Sequence, residues 1–322
     1  MHRYLPVLLM LLVTSSIFVA LPCVAVDLPT WAYPVNPPDF KPTPDDGTIR
    51  HVPDSTAGFT LTQLRDLYAA PVWHPEDHVK MPEIVARGRK PEVHACGFCH
   101  RADGPGGPEN ASIAGLPYAY IVRQLADYKS GARSTALPKR LPQALMISLS
   151  KKITEEEVMA AATYFSSLKP RSNIRVIETN AVPQTYVAGW FLADKKSNET
   201  EAIGQRIIEV PEHLEQFESR DTRANFIAYV PIGSIKKGEA LVTGKVPEKA
   251  PACATCHGMD LRGMDATPSI SGRSPSYVIR QLYELQAGIR AGSSAPLMKP
   301  TVDKLSLDDM ISIAAYLASR VH

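Results

Sequence analysis

The chain has 322 residues, 44% of them hydrophobic, with 35 basic and 33 acidic side chains. That length suits about two packed domains, and a formal net charge of +2 provides no broad basic field for nucleic acid. Proline (28) outnumbers glycine (19), and the five cysteines are an odd number for a disulfide framework.

In chain order, Met1-His2-Arg3 precedes an apolar run from Leu5 through Ala20, with Cys23 and Ala25 placed where a signal peptidase reads small residues. Residues 1–25 are therefore read as an export signal, with a retained membrane anchor as the alternative. A lipoprotein attached through Cys23 fits poorly because Pro22 precedes it. No later segment approaches about 18 consecutive apolar residues, so no membrane span is expected after cleavage. Removing the signal leaves four cysteines, all in two identical patterns. Residues 26–83 begin proline-rich and are expected to wrap the unit that follows or to bind a partner.

Cys96-Gly97-Phe98-Cys99-His100 and Cys253-Ala254-Thr255-Cys256-His257 are both C-x-x-C-H, the attachment signature of haem c. One helical turn places two thiols where each can add to a haem vinyl group, and the adjacent histidine then lies beneath the porphyrin facing iron. A zinc site would hold its two C-x-x-C pairs roughly 15–20 residues apart, whereas Cys96 and Cys253 are 157 apart. A thioredoxin-like pair or a disulfide explains neither histidine. Two covalently bound haems c are the expected cofactors.

The offset of 157 persists: Tyr120, Arg123, Gln124, Leu125, Gly131 and Arg133 map onto Tyr277, Arg280, Gln281, Leu282, Gly288 and Arg290. The chain thus reads as an internal duplication, residues 84–169 forming one unit and 234–322 the other. Ile121, Leu125 and Tyr128, and Val278, Leu282 and Leu285, recur at helical spacing. A second helix closes each copy, opened by Thr154 with Glu157 and by Ser306 with Asp309. Between the units, residues 170–233 include strand-like stretches at 204–210 and 226–230, expected as a small hairpin or sheet.

A histidine-bound iron has one axial position left. Met146 and Met298 occupy matched places 18 residues before the closing-helix tyrosines Tyr164 and Tyr316, on proline-flanked segments read as irregular loops. A thioether there is a soft, neutral ligand that favours the reduced iron; the alternative is core filling. His51, His74, His78, His94 and His213 have no counterpart in the other copy and are read as surface or core residues. Arg123, Arg133, Arg280 and Arg290 are candidate propionate contacts, with a solvated helix face as the alternative.

C-x-x-C-H, the Tyr-x-x-Arg-Gln-Leu helix, the candidate methionine and Leu-Ser or Ile-Thr before a helix ending Ala-x-Tyr make the chain resemble the class I cytochromes c, specifically the tandem dihaem periplasmic kind. The resemblance covers about residues 84–169 and 234–320. It implies a mainly α fold of two haem domains in tandem, here with a proline-rich extension at 26–83 and a long insert at 170–233 containing a small β element. It also implies an opening helix crossing the closing one at a small residue, Gly238 against Tyr316 and, less clearly, Gly88 in the first copy.

Two iron sites closed by His100 with Met146 and by His257 with Met298 leave no coordination position for a substrate. The expected function is electron carriage between periplasmic redox proteins such as a dehydrogenase, an oxidase or another cytochrome, with no catalytic residue and no nucleic acid partner. The alternatives are a dihaem peroxidase, a thiosulfate-oxidising cytochrome, or a subunit working only within a dehydrogenase complex.

Overall fold

Local capping signals and an apolar stripe shape each half of the duplication. The computed structural model describes residues 27–321; the segment read as an export signal, with Cys23, lies outside the described residues. After a 3-10 turn at Thr30–Ala32 come α1 (Leu61–Leu64), α2 (Glu83–Ala86), α3 (Cys96–His100), α4 (Tyr118–Ser130), α5 (Leu141–Ser150) and α6 (Glu155–Ser167). The α4 helix stops at Gly131, whose φ of 82° is a left-handed cap that costs glycine nothing. Thr154 opens α6 with a capping box: its hydroxyl accepts from the Glu157 amide, and the Glu157 carboxylate accepts from the Thr154 amide at 2.8 Å. Ala161, Ala162 and Phe165 of α6 meet Ile121 and Leu125 of α4 and Ile84 and Val85 of α2 in one apolar core.

The insert contains β1 (Ile174–Glu178), β2 (Ala181–Pro183), β3 (Thr185–Ala188), β4 (Phe191–Asp194), β5 (Thr200–Ala202), β6 (Ile208–Pro211), α7 (Leu214–Glu218) and β7 (Phe226–Val230). Strand β7 is the centre of a three-stranded sheet, parallel to β1 and antiparallel to β6. Its pairing with β6 realises the expected small β element. The β2–β5 and β3–β4 pairs are additional; strands of three or four residues are too short to reveal a period of two in sequence.

The second unit comprises α8 (Ser234–Val242), α9 (Ala254–His257), α10 (Pro275–Gln286), α11 (Ala295–Val302) and α12 (Leu307–Ala318). Ser306 and Asp309 form the matching capping box. Helices α8 and α12 cross at Gly238, where a Cβ would overlap the Ser312 carbonyl and lie 2.7 Å from Tyr316 Cβ. The first unit has no equivalent crossing. There α2 is a single turn, and Gly88 makes a tight turn at φ 66° against the Val93 carbonyl. Arg89 instead ties this segment to α6, donating to Glu157 at 2.8 Å and to the Lys152 carbonyl at 2.9 Å.

The N-terminal extension does more than wrap the first unit. Ala32 and Tyr33 are buried in the core of the second unit, and the Tyr33 hydroxyl donates to Glu284 at 3.3 Å. Farther on, Val52, Leu64 and Trp73 form a separate apolar cluster. This is pinned to the insert by Trp73 Nε1 donating to the Ser219 carbonyl at 2.7 Å and by His74 against Asp221 at 3.0 Å. No helix among the described residues is long and apolar enough to cross a membrane.

Candidate functional site

Helix α3 carries Cys96, Cys99 and His100 on a little over one turn, so the thiols and the imidazole share one wall of a cavity. About 1230 Å³ of space not occupied by atoms, including its open mouth, lies between that wall and Met146 of α5. Most of the lining is apolar: Ile113, Leu116, Ile121, Leu125, Leu149 and Phe165. The lining also includes Arg133, whose buried Nε has no protein acceptor, and Glu109, whose buried Oε2 has no donor. A largely apolar cavity lined by two thiols, an imidazole and a thioether, with an orphaned guanidinium N–H among its lining groups, fits a flat macrocycle bearing carboxylates.

The two proximal histidines are held alike. His100 Nδ1 meets the Ala111 carbonyl at 2.8 Å and His257 Nδ1 meets the Pro268 carbonyl at 2.8 Å, acceptors that obey the same offset of 157. With Nδ1 as donor, Nε2 is the nitrogen left with a lone pair, the tautomer an iron ligand requires. Burial pushes both imidazoles below the ordinary histidine value, favouring the neutral form. Burial also pushes the Cys96 thiol up to about 12 and the Cys253 thiol up to about 11.

Met146 and Met298 lie in short helices, α5 and α11, and not on irregular loops. Pro142 and Pro296 sit in the first turn of each helix, where a missing N–H is harmless, so these prolines start a helix instead of breaking one. Met146 lines the first cavity, and Met298 packs half-buried on the second core. Met259 and Met264, following the second motif, are exposed.

The four arginines divide into two kinds. Arg133 lines the first cavity, and its guanidinium donates to Gln124 Oε1 at 2.8 Å and Gln281 Oε1 at 2.7 Å. Arg290 makes the matching set, to Tyr120 Oη at 2.8 Å, Gln124 Oε1 at 2.9 Å and Gln281 Oε1 at 3.2 Å. Arg280 and Arg123 are committed elsewhere. Arg280 is fully buried and donates to the Ala32 carbonyl at 2.7 Å and the Pro108 carbonyl at 2.6 Å; Arg123 donates to Ser294 Oγ at 2.6 Å. Both serve as ties between segments, and a solvated helix face does not describe Arg280, whose buried Nε is left without an acceptor.

Several lining residues were not legible in the sequence. His94 lines the first cavity, so it is neither a surface nor an ordinary core residue; its place two residues before Cys96 was the available signal. Tyr277, Gln281 and Glu284 of α10 complete the same cavity from the second unit, and no local pattern announces a wall contributed from so far along the chain.

The chain is 35% identical to cytochrome c-554(548) of Halomonas halodenitrificans over 74 residues, which are 23% of this chain and 89% of that protein. This chain belongs to the c-type cytochromes. The cytochrome is also 25% identical over 227 residues to cytochrome c4 of Pseudomonas aeruginosa, covering 69% of this chain and 82% of the relative. It is 25% identical over 233 residues to the thiosulfate dehydrogenase electron acceptor of Thiomonas intermedia, covering 71% and 80%. Among solved structures it is similar to thiosulfate dehydrogenase from Marichromatium purpuratum, with a TM-score of 0.51 and 26% identity over 74% of this chain; it spans 39% of that protein's chain. No family model matches. The cytochrome is a dihaem electron carrier with covalently bound haem c.

Proposed function

We propose that the cytochrome passes single electrons between exported redox proteins through two haem sites of the same ligand type. In this reading Cys96 and Cys99 supply the thioether links of the first site, with His100 and Met146 as its axial pair. Cys253, Cys256, His257 and Met298 do the same at the second. Bound haem supplies reversible one-electron storage at its iron. The chain's own residues fix the imidazole tautomer, keep water from the apolar faces and place Arg133 among the lining groups. The observation that carries this reading is the cavity whose lining brings together Cys96, Cys99 and His100 of one helix and Met146 of another.

Sites closed on both axial sides have no position for a peroxide or sulfur substrate, which supports a carrier and not an enzyme. A relative named for accepting electrons from thiosulfate dehydrogenase supports a dehydrogenase as the class of donor, and the export signal read at residues 1–25 supports the periplasm as the place of exchange. The test is the visible and near-infrared spectrum of the purified protein. A methionine-to-iron charge-transfer band with the intensity of two haems is expected; a high-spin signal from either would overturn the closed-site reading.

A further inference from the structure

The two attachment motifs have different surroundings, and the difference comes from the insert. In the second unit Cys256 is exposed and Gly258 follows the histidine at φ 83°, ψ 152°. In the first, the matching position is Arg101 at φ 68°, ψ 164°, a backbone region that is essentially glycine's own. A side chain held there against steric cost marks a site to be explained. The Arg101 guanidinium is buried, lies 4.7 Å from the ring centroid of Phe217 in α7, and leaves Nε and Nη1 without acceptors. From the loop after α7, Arg220, also at positive φ (61°), reaches over the ring of Phe98 inside the motif at 3.6 Å. It donates to the Phe98 carbonyl at 3.0 Å and the Leu64 carbonyl at 2.9 Å.

Around the first motif lie Arg220 and Arg101, opposed by Glu109, which pairs with Arg101 at 3.5 Å; Glu284, also lining the cavity, accepts from the Tyr33 hydroxyl and the Ala136 amide. Asp221, beside Arg220, is turned toward His74 and Gln216. Arg133 and Arg290 are matched between the units, each donating to both Gln124 and Gln281. With the same ligand types at both, what remains is local charge, and two guanidinium groups set against Glu109 disfavour the oxidised, more positive state at the first site.

We infer that the insert, through Arg220 and Phe217 acting with Arg101, makes the first haem site the higher in reduction potential, so that a single electron resides mainly there. This rests on the proposed ligation. The step is an internal one-electron transfer in which the second site is oxidised as the first is reduced, with no proton or further reactant. Arg101 and Arg220 are positioning residues of the electrostatic kind.

Spectroelectrochemical titration of the intact dihaem protein tests it. Two one-electron waves are expected, the higher assigned to the first site by its large fall in Met146→His and the lower to the second by Met298→His. Arg101→Gly, which installs the residue the second copy carries at the same backbone angles, should lower the higher wave alone. The equilibrium favouring the electron on the first site should fall about tenfold, equivalent to about 59 mV for a one-electron couple. Arg220→Gln should act in the same direction and Arg220→Lys should restore the wild-type value. The inference is overturned if the higher wave belongs to the second site, or if Arg101→Gly and Arg220→Gln leave both waves in place. A missing haem or methionine band in the wild-type spectrum would strike the proposed ligation, before any titration.

Discussion

Arg133 and Arg290 face one another as an isolated antiparallel bridge, and each sends its guanidinium to the glutamine of its own unit and to the glutamine of the other. Gln124 Oε1 and Gln281 Oε1 thus each accept from both arginines. Backbone bonds frame the square, from Ser134 N–H to the Ile289 carbonyl at 3.1 Å and from Ala291 N–H to the Ala132 carbonyl at 2.7 Å. Removing one arginine leaves the other still bridging both amides, so the two should be strongly non-additive. A double-mutant cycle of Arg133→Ala and Arg290→Ala should give a coupling energy of about 1–3 kcal/mol in chemical denaturation. Values near zero would mean the two networks are independent.

Replacing either candidate axial methionine should affect one site and spare the other. Met146→Ala and Met298→Ala should each abolish about half of the methionine-to-iron band, bring one haem to high spin and lower its potential. Loss of the whole band in a single variant would contradict two separate sites.

The crossing of α8 and α12 has no room for a methyl group at Gly238. Backbone and not a flexible side chain fills that space, so Gly238→Ala should cost about 1–3 kcal/mol or more of stability, read from the midpoint of denaturant unfolding. Gly88→Ala would strain a turn of positive φ in the first unit without touching the closing helix there.

Asp309 contributes to acid stability with a definite sign. Burial alone would raise its pKa, but hydrogen bonds from Lys237 and Ser306 outweigh burial and lower it from 3.8 to about 2. A carboxylate depressed in the folded state contributes its full stability above its ordinary value of 3.8 and loses it as pH falls through about 2. Asp309→Asn should therefore flatten the acid limb of the stability profile in that window. Ser306→Ala, which removes the hydroxyl half of the same capping box, should cost about 1 kcal/mol at neutral pH.

What sequence reading recovers here is whatever is local or repeated. The capping boxes at Thr154 and Ser306 and the glycine at the end of α4 each depend on residues a few positions apart, whereas the Gly238 crossing was implied by the family resemblance. The repeat allowed Met146 and Met298 to be singled out among the methionines, although proline was mistaken for a sign of irregular chain when it stood in a first helical turn. The reach of Tyr33 into the second core and the wall that α10 adds to the first cavity depend on long-range packing that no periodicity encodes. The asymmetry at Arg101 and Gly258 was present in the aligned repeats but acquires meaning only with the insert folded over it.

The hydrogen bond from Tyr33 to Glu284 spans 251 residues of chain, and the Ala32 carbonyl beside it receives Arg280 from the same late helix. A segment synthesised early is thus a clasp whose seat is made late. Long loop closure of this kind comes late in folding, so a nascent chain presents both pairs of attachment thiols while the clasp is still open. Shutting it draws the two halves, the insert and the leading segment into a single closed circuit of chain.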